Sequence, residues 1–150
     1  MVNVERRFTV GRPVEVVVEY LKDFANAEQW DPGTVTCVRT DPGPVQVGSR
    51  WHNTSEFKGK ETELDYRLER LEPNRLTFVG KNKTATSTDD LTLTPSGSGT
   101  EITYHAHIVF HGLAKVADPF LKSEFEMLGD AVVLSMTEAI EGLPTRQGPS

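Results

Sequence analysis

A run of alternating segments between positions 34 and 110 constrains the fold more than any other feature. Its clearest part is ETELDYRLERL (61–71), in which Leu64, Tyr66 and Leu68 alternate with charged side chains. Period-two alternation indicates a β-strand with one buried face and one face in water. Similar segments occur at 34–41, 49–57, 75–84, 86–94 and 100–110, separated by short turns rich in Gly, Pro and Asn. Six strands in succession predict an antiparallel meander.

Helical patterns flank this meander. Residues 2–10 predict one more strand, and Pro13 then opens a helix with an apolar face. A short helical piece covers 26–30. After residue 111 the helical period returns, from an N-cap at Asp118 to a stop at Gly142 and Pro144. Because the apolar stripe of a long helix needs a cover, we expect it to pack on the concave face of the sheet.

Length and charge narrow the class of protein. The 150 residues fit one domain, which we place at 1–144 with a flexible tail at 145–150. A net charge of −6 argues against a nucleic-acid partner. The sequence shows no signal peptide and no apolar run of bilayer length, which predicts a cytoplasmic protein without membrane insertion. The single cysteine, Cys37, excludes an intramolecular disulfide and is expected to behave as a small apolar residue.

The element order and several motifs resemble the START-like (SRPBCC) superfamily. The motifs are Gln29-Trp30-Asp31-Pro32-Gly33, Gly48-Ser49-Arg50-Trp51 and Leu71-Glu72-Pro73-Asn74-Arg75-Leu76, with Leu128-Gly129 in the middle of the last helix. Within the superfamily, the chain looks most like the polyketide cyclase/dehydratase and lipid-transport group, which includes relatives of the birch pollen allergen.

This resemblance implies an α+β helix-grip fold. In that fold a curved seven-stranded antiparallel sheet wraps around a long C-terminal helix, and two short helices lie between strands one and two. It also implies an internal cavity that holds an apolar or polycyclic ligand, with no metal and no covalent cofactor.

Strand parity and the face of the last helix predict the side chains that point inward. The candidate ligand-binding residues are Trp30, Trp51, Asn53, Ser55, Tyr66, Phe78, Asp89, Tyr104, Phe110, Leu121, Phe125 and Leu128. The same residues could instead fill a solid core. Trp30 could be a hydrophobic plug at its corner or the rim of a ligand site, and the plug is favoured because a large buried aromatic residue anchors such corners well.

Charged residues and histidines give weaker signals. Asp89 and Asp90 are neighbours on a strand, so at most Asp89 faces inward. His105 and His107 share a face with His111, but that face is the outer one, and we predict no metal site. Arg6 breaks the apolar parity of its strand. It is either an inward cation that pairs with Asp89 or an acidic ligand, or a residue that a bulge turns outward.

Three functions remain open at this point. The first is binding of a small apolar molecule, such as a lipid or polyketide, by a monomer or homodimer. The second is a polyketide cyclase, aromatase or dehydratase that uses the same cavity, with Tyr66, Tyr104, Asn53 and Asp89 as acid–base or hydrogen-bonding candidates. The third is a protein-interaction or stress-response module. No catalytic motif in the sequence selects among them.

Overall fold

The computed structural model describes residues 1–57, 59–112 and 118–144, without the side chains of 118–121. Its elements are β1 (Val2–Val10), α1 (Val14–Leu21), a 3₁₀ turn (Phe24–Asn26), α2 (Ala27–Trp30), β2 (Thr34–Arg39), β3 (Arg50–Phe57), β4 (Lys60–Glu72), β5 (Arg75–Lys81), β6 (Ala85–Ser96), β7 (Gly99–Phe110) and α3 (Asp118–Glu141). This order confirms the predicted α+β helix-grip fold. The domain limits at 1–144 stay a prediction, and the expected tail at 145–150 lies outside the described residues.

The strands form one antiparallel sheet in the order β1-β7-β6-β5-β4-β3-β2. Six strands follow one another as the predicted meander, and β1 joins beside β7. The alternation in β4 has the expected result: Tyr66 and Leu68 are buried, while Glu63 and Asp65 are exposed. Register shifts interrupt the ladder in β2 and β4. Such bulges bend a strand and increase its twist, which helps a sheet to curve around a helix.

Helix α3 covers the inner face of the sheet, where it lies against β1 and α2. Val132, Met136 and Ile140 are buried on its inner side, whereas Met127 and Leu134 are exposed on its outer side. Gly129 makes the approach to β1 possible, because a Cβ atom at this position would lie only 2.5 Å from Val4 Cγ1. None of the helices in the described ranges is long and apolar enough to cross a membrane.

Arg6 also connects α3 to β1. The β1–β7 register runs without a shift through this residue, so the side chain shares the inner face of its strand with Val4. Its Nε donates to Asp130 Oδ1 at 2.8 Å, and its Nη2 lies 3.2 Å from Glu126 Oε2. Arg6 is therefore the inward cation of the two alternatives, but its partners lie on the helix and do not include Asp89.

A Gly129→Ala substitution tests the close contact between helix and strand. Alanine normally favours a helix over glycine, yet the added Cβ must push α3 away from Val4. We expect the free energy of unfolding to fall by about 1–3 kcal/mol, the usual cost of overpacking. Urea unfolding followed by circular dichroism measures it. Gly11→Ala is the matched control, because its Cβ would meet nothing closer than 3.5 Å. An unchanged or increased stability of Gly129→Ala would contradict the role given to Gly129.

Candidate functional site

A cavity of about 200 Å³ lies between the inner face of the sheet and α3. Most of its wall is apolar, and these side chains are Val4, Phe57, Leu64, Ala85, Ala106, Ile108, Phe110, Phe125, Leu128 and Val132. An apolar cavity of about 150 Å³ is large enough to bind benzene. The volume therefore suits one substituted aromatic ring or a short aliphatic chain, and it is below the roughly 300 Å³ at which drug-sized pockets begin.

Seven of the predicted site residues meet on this wall: Ser55, Tyr66, Asp89, Tyr104, Phe110, Phe125 and Leu128. They come from four strands and one helix, so only the folded chain brings them together. Their role in ligand binding stays a prediction. The side chain of Leu121 lies outside the described residues.

Trp51 and Phe78 do not line the cavity, contrary to the expectation from strand parity. Both are fully buried in an aromatic core with Phe24, whose ring centroid lies 4.5 Å from that of Phe78. Trp51 also donates its indole N–H to Asp23 Oδ1 at 3.0 Å. Parity correctly places these residues on the inner face. However, Phe24 and the first helices fill that part of the face, and the cavity lies further along it, under α3.

Trp30 is the plug of the two alternatives considered. Its ring is 1% exposed, packs edge-on against Phe24 at 5.9 Å and Tyr104 at 6.0 Å, and is not part of the cavity wall. Its contact with Tyr104 matters for the site, because it fixes one side of a ring that does line the cavity. Trp30 therefore supports the wall from behind.

Asp89 and Tyr104 form the polar centre of the cavity. The residues lie on β6 and β7, and the Tyr104 hydroxyl donates to Asp89 Oδ1 at 2.8 Å. Asp89 is 6% exposed. Burial raises its pKa to about 7, although the hydrogen bond from Tyr104 opposes this shift. Burial, with the charge of Asp89, also raises the pKa of Tyr104, so the phenol stays protonated as a donor. The carboxyl group can thus gain or lose a proton near neutral pH.

A hydrogen-bonded chain supports a second part of the wall. Ser55 Oγ donates to Asn53 Oδ1 at 2.6 Å, Asn53 Nδ2 donates to Thr34 Oγ1 at 3.2 Å, and Thr34 Oγ1 donates to Asp31 Oδ2 at 3.0 Å. Ser55 and Asp31 lie on the wall, and Asn53 lies behind it. The prediction that Asn53 lines the cavity is therefore wrong in position, because its amide is used to hold the two wall residues in place.

Tyr66 owes its position to a glycine on the neighbouring strand. It pairs with Gly80 of β5, and a Cβ on Gly80 would come within 2.6 Å of the Tyr66 ring. The missing side chain lets the ring lie flat over β5. Burial and the charge of Asp89 raise the Tyr66 pKa well above its usual value, and a hydrogen bond with Ser87 opposes this shift.

Three phenylalanines close one end of the cavity. The rings of Phe57 and Phe125 stack at a centroid distance of 4.6 Å and an angle of 11°, and Phe110 lies 6.5 Å from Phe125. All three are partly exposed, unlike the aromatic core under α1. Phe57 and Phe110 are the last residues of β3 and β7, and Phe125 lies in the N-terminal half of α3. The cavity is therefore bounded by aromatic rings on the side nearest the surface.

Sequence reasoning missed several wall residues, namely Val4, Asp31, Gly33, Glu56, Thr62, Ala85 and Gly129. Asp31 is the most informative of them. It looked like a turn residue, and it does cap the turn by accepting from the Gly33 N–H at 3.0 Å. Val4 and Thr62 could have been found from parity, since each shares the inner face of its strand. The orientation of Asp31 carries no periodic signal, because it lies between α2 and β2.

The described residues contain no group of three or more His, Cys, Asp or Glu side chains suited to a metal ion. His105 and His107 lie with parallel rings 6.2 Å apart, and His105 Nε2 lies 3.0 Å from Asn3 Oδ1. Cys37 is buried, and burial raises the pKa of its thiol to about 12, so it is not a ready nucleophile.

Comparison with known proteins supports the assignment of the START-like helix-grip fold. Residues 1–146 match the family described as polyketide cyclase / dehydrase and lipid transport. The chain belongs to this family. A search of the curated proteins finds no match.

Several solved structures are similar to this chain in fold. TTHA0849 from Thermus thermophilus has a TM-score of 0.79 at 12% identity, with 93% of this chain and 97% of that chain covered. A START superfamily protein from Mycobacterium smegmatis has a TM-score of 0.79 at 14% identity, with 95% and 99% covered. The Zhui aromatase/cyclase from Streptomyces sp. R1128 has a TM-score of 0.71 at 15% identity, with 93% and 91% covered. These similarities confirm the START-like fold.

The pKa of Asp89 predicts how stability depends on pH. The unfolded carboxyl titrates near pH 3.9 and the folded one at about 7, so the folded state binds more protons between these values. The contribution of protonated Asp89 to the free energy of unfolding is therefore fully present below pH 4 and is lost as the pH rises to 7. Relative to Asp89→Asn, the unfolding equilibrium constant of the native protein should increase by up to tenfold per pH unit in this window.

Urea unfolding at pH 4.5, 5.5, 6.5 and 8 measures this difference. Asp90→Asn is the control. Asp90 pairs with Arg75 at 2.8 Å on the opposite face of β6, which lowers its pKa. The contribution of the Asp90 carboxylate to stability is present at every pH above the pKa of the unfolded carboxyl group. The difference in free energy of unfolding between Asp90→Asn and the native protein should therefore stay flat over the same pH range. A flat difference for Asp89→Asn as well would mean that Asp89 is not a buried carboxyl of raised pKa.

Proposed function

We propose that this protein binds a small, mainly apolar molecule in the cavity between the sheet and α3. The observation that carries the proposal is the cavity itself. The rings of Phe24, Trp51 and Phe78 are buried against one another near the first helices, yet about 200 Å³ is left open under α3. Protein interiors are normally close-packed, and an open apolar cavity with a few polar groups is typical of a ligand site.

The size of the cavity narrows the class of ligand. The resemblance to the START-like superfamily implied an apolar or polycyclic ligand. A volume of about 200 Å³ supports a ligand of one substituted ring or a short acyl chain, whereas a polycyclic molecule would need the phenylalanine end or α3 to move. The family description includes lipid transport as well as cyclase and dehydrase activity, which is consistent with an apolar ligand. The expected cytoplasmic location and monomeric or homodimeric state stay predictions.

A Leu128→Trp substitution tests the binding function. The larger indole should fill the cavity, because Leu128 lies on its wall. We expect the native protein to bind ethylbenzene in isothermal titration calorimetry and the substituted protein to bind it at least tenfold more weakly. Leu134→Trp is the matched control, since Leu134 lies on the same helix but is 68% exposed. Absence of ethylbenzene binding to the native protein would contradict the proposal, as would undiminished binding to Leu128→Trp.

A second function, catalysis on a ketone-bearing chain, is favoured by one specific observation. Asp89 lies on the cavity wall with a pKa of about 7 and a hydrogen bond from Tyr104. A carboxyl with this pKa can accept or donate a proton near neutral pH, which suits a general acid or base. Enclosure would hold the reacting atoms of a short chain close together. Tyr66 would be the donor to a ketone oxygen, since the single O–H of Tyr104 already donates to Asp89.

The catalytic function has its own test. We expect Asp89→Asn to lower the rate at which 2,6-heptanedione closes by intramolecular aldol addition and then loses one water to give 3-methylcyclohex-2-enone. The expected decrease is about 100-fold or more, the usual contribution of a general acid or base. Below saturation, the rate of the native protein should change with an inflection near pH 7. Asp90→Asn is the control for charge. A rate that Asp89→Asn leaves unchanged would overturn this candidate without affecting the binding function. No described contact favours the third hypothesis, an interaction module, which stays a prediction.

A further inference from the structure

The hydrogen-bonding capacity of Asp89 is only partly used. Its Oδ1 accepts from Tyr104, and its Oδ2 has no hydrogen-bond partner among the residues that the structure describes. The residue is 94% buried and lies on the cavity wall. Among the described residues, Asp89 Oδ2 is not one of the fully enclosed side-chain atoms that lack a partner, so this oxygen faces the open space of the cavity. A ligand that donates a hydrogen bond to this oxygen should therefore bind more tightly than one that does not.

The other carboxyl groups of the wall do not offer the same site. Asp31 uses both oxygens, since Oδ1 accepts from the Gly33 N–H and Oδ2 from the Thr34 hydroxyl, each at 3.0 Å. Glu56 belongs to the outward parity of β3 and is exposed. Asp89 is therefore the carboxyl group positioned to accept a hydrogen bond from a molecule in the cavity.

The charge on the described wall is entirely acidic. Its acidic residues are Asp31, Asp89 and the outward-facing Glu56, and the wall residues include no Lys, Arg or His. Arg6 packs behind the wall, beside Gly129, but Asp130 and Glu126 occupy its guanidinium group. An anionic ligand would thus enter a poorly solvated space next to like charges, with no cation from these residues to pair with.

We infer that the cavity selects neutral molecules that carry a hydroxyl donor, such as a substituted phenol, and that it excludes carboxylates. The inference rests on the proposed binding function and names the ligand class for it. The apolar body of the ligand lies between Leu128, Phe125 and Ile108, and its hydroxyl group donates to Asp89 Oδ2. The Tyr104 hydroxyl holds the other oxygen and keeps the carboxyl group oriented toward the ligand.

A series of ligands with one common body tests this inference. The probes are ethylbenzene, 4-ethylphenol, 4-ethylbenzoate and 4-ethylbenzamide, the last being a neutral match in size for the carboxylate. Titration calorimetry at pH 8 keeps Asp89 mainly ionised, given its pKa of about 7. We expect 4-ethylphenol to bind at least tenfold more tightly than ethylbenzene, as a hydrogen bond to a charged acceptor allows. We expect 4-ethylbenzoate to bind at least tenfold more weakly than 4-ethylbenzamide.

Two variants of Asp89 separate the acceptor from the charge. Asp89→Leu replaces the carboxyl group with an apolar side chain of similar size and so removes the hydrogen-bond acceptor. In this variant, 4-ethylphenol and ethylbenzene should bind within about threefold of each other. Asp89→Asn removes the charge and should raise the affinity for 4-ethylbenzoate. Asp90→Asn, on the opposite face of the strand, should preserve the whole ranking. Thermal unfolding of each variant checks that it is folded at the temperature of titration.

The outcomes distinguish the inference from the function on which it rests. If ethylbenzene binds but 4-ethylphenol binds no better, or 4-ethylbenzoate matches 4-ethylbenzamide, the selectivity is wrong and the binding function stands. A preference for 4-ethylphenol that persists in Asp89→Leu would also overturn the role of Asp89. If none of the four probes binds to the native protein, both the inference and the binding function fail.

Discussion

The contact between α3 and β1 is the constraint on which the rest of the structure depends. The sheet has an apolar inner face that must be covered, and α3 is the long element that covers it. Gly129 lets the helix backbone come close to Val4, and Arg6 fixes it there through Asp130 and Glu126. This contact sets the distance between helix and sheet along the β1 side, and that distance determines whether space is left under the helix.

The inner face of the sheet is used in two ways. Near the first helices, the rings of Phe24, Trp51 and Phe78 pack against one another and are buried. Under α3, smaller side chains such as Ala85, Ala106 and Ser87 face the helix, and a cavity remains. The aromatic core stabilises the fold through burial of aromatic surface. This stability offsets the cost of the cavity that remains under α3. Tyr66 lies at the boundary between the two regions. Its ring centroid is 4.4 Å from that of Phe24, and the residue also lines the cavity.

The polar groups of the cavity are held by the same framework that encloses them. Trp30 packs on the Tyr104 ring, Tyr104 donates to Asp89, and Gly80 makes room for Tyr66. Burial of Asp89 costs stability at neutral pH, because its ionised form loses hydration. A group that lowers stability while it lies on a cavity wall is a candidate for function, since a packed apolar residue at the same position would stabilise the fold. The catalytic proposal and the inferred preference for hydroxyl donors both depend on this residue.

The sequence by itself determined the order of elements, the parity of each strand and the family. Alternation fixed the inner face of β4 and β7, and the helical period fixed the inner side of α3, because periodicity is a local property of the chain. The tertiary structure alone decided which inward residues meet open space. Trp51 and Tyr104 have equally inward parity, yet one lies under Phe24 and the other under α3. The tertiary structure also decided that Asp31 lies on the cavity wall and that Arg6 pairs with carboxylates of α3. Both results depend on contacts between residues that lie far apart in the chain.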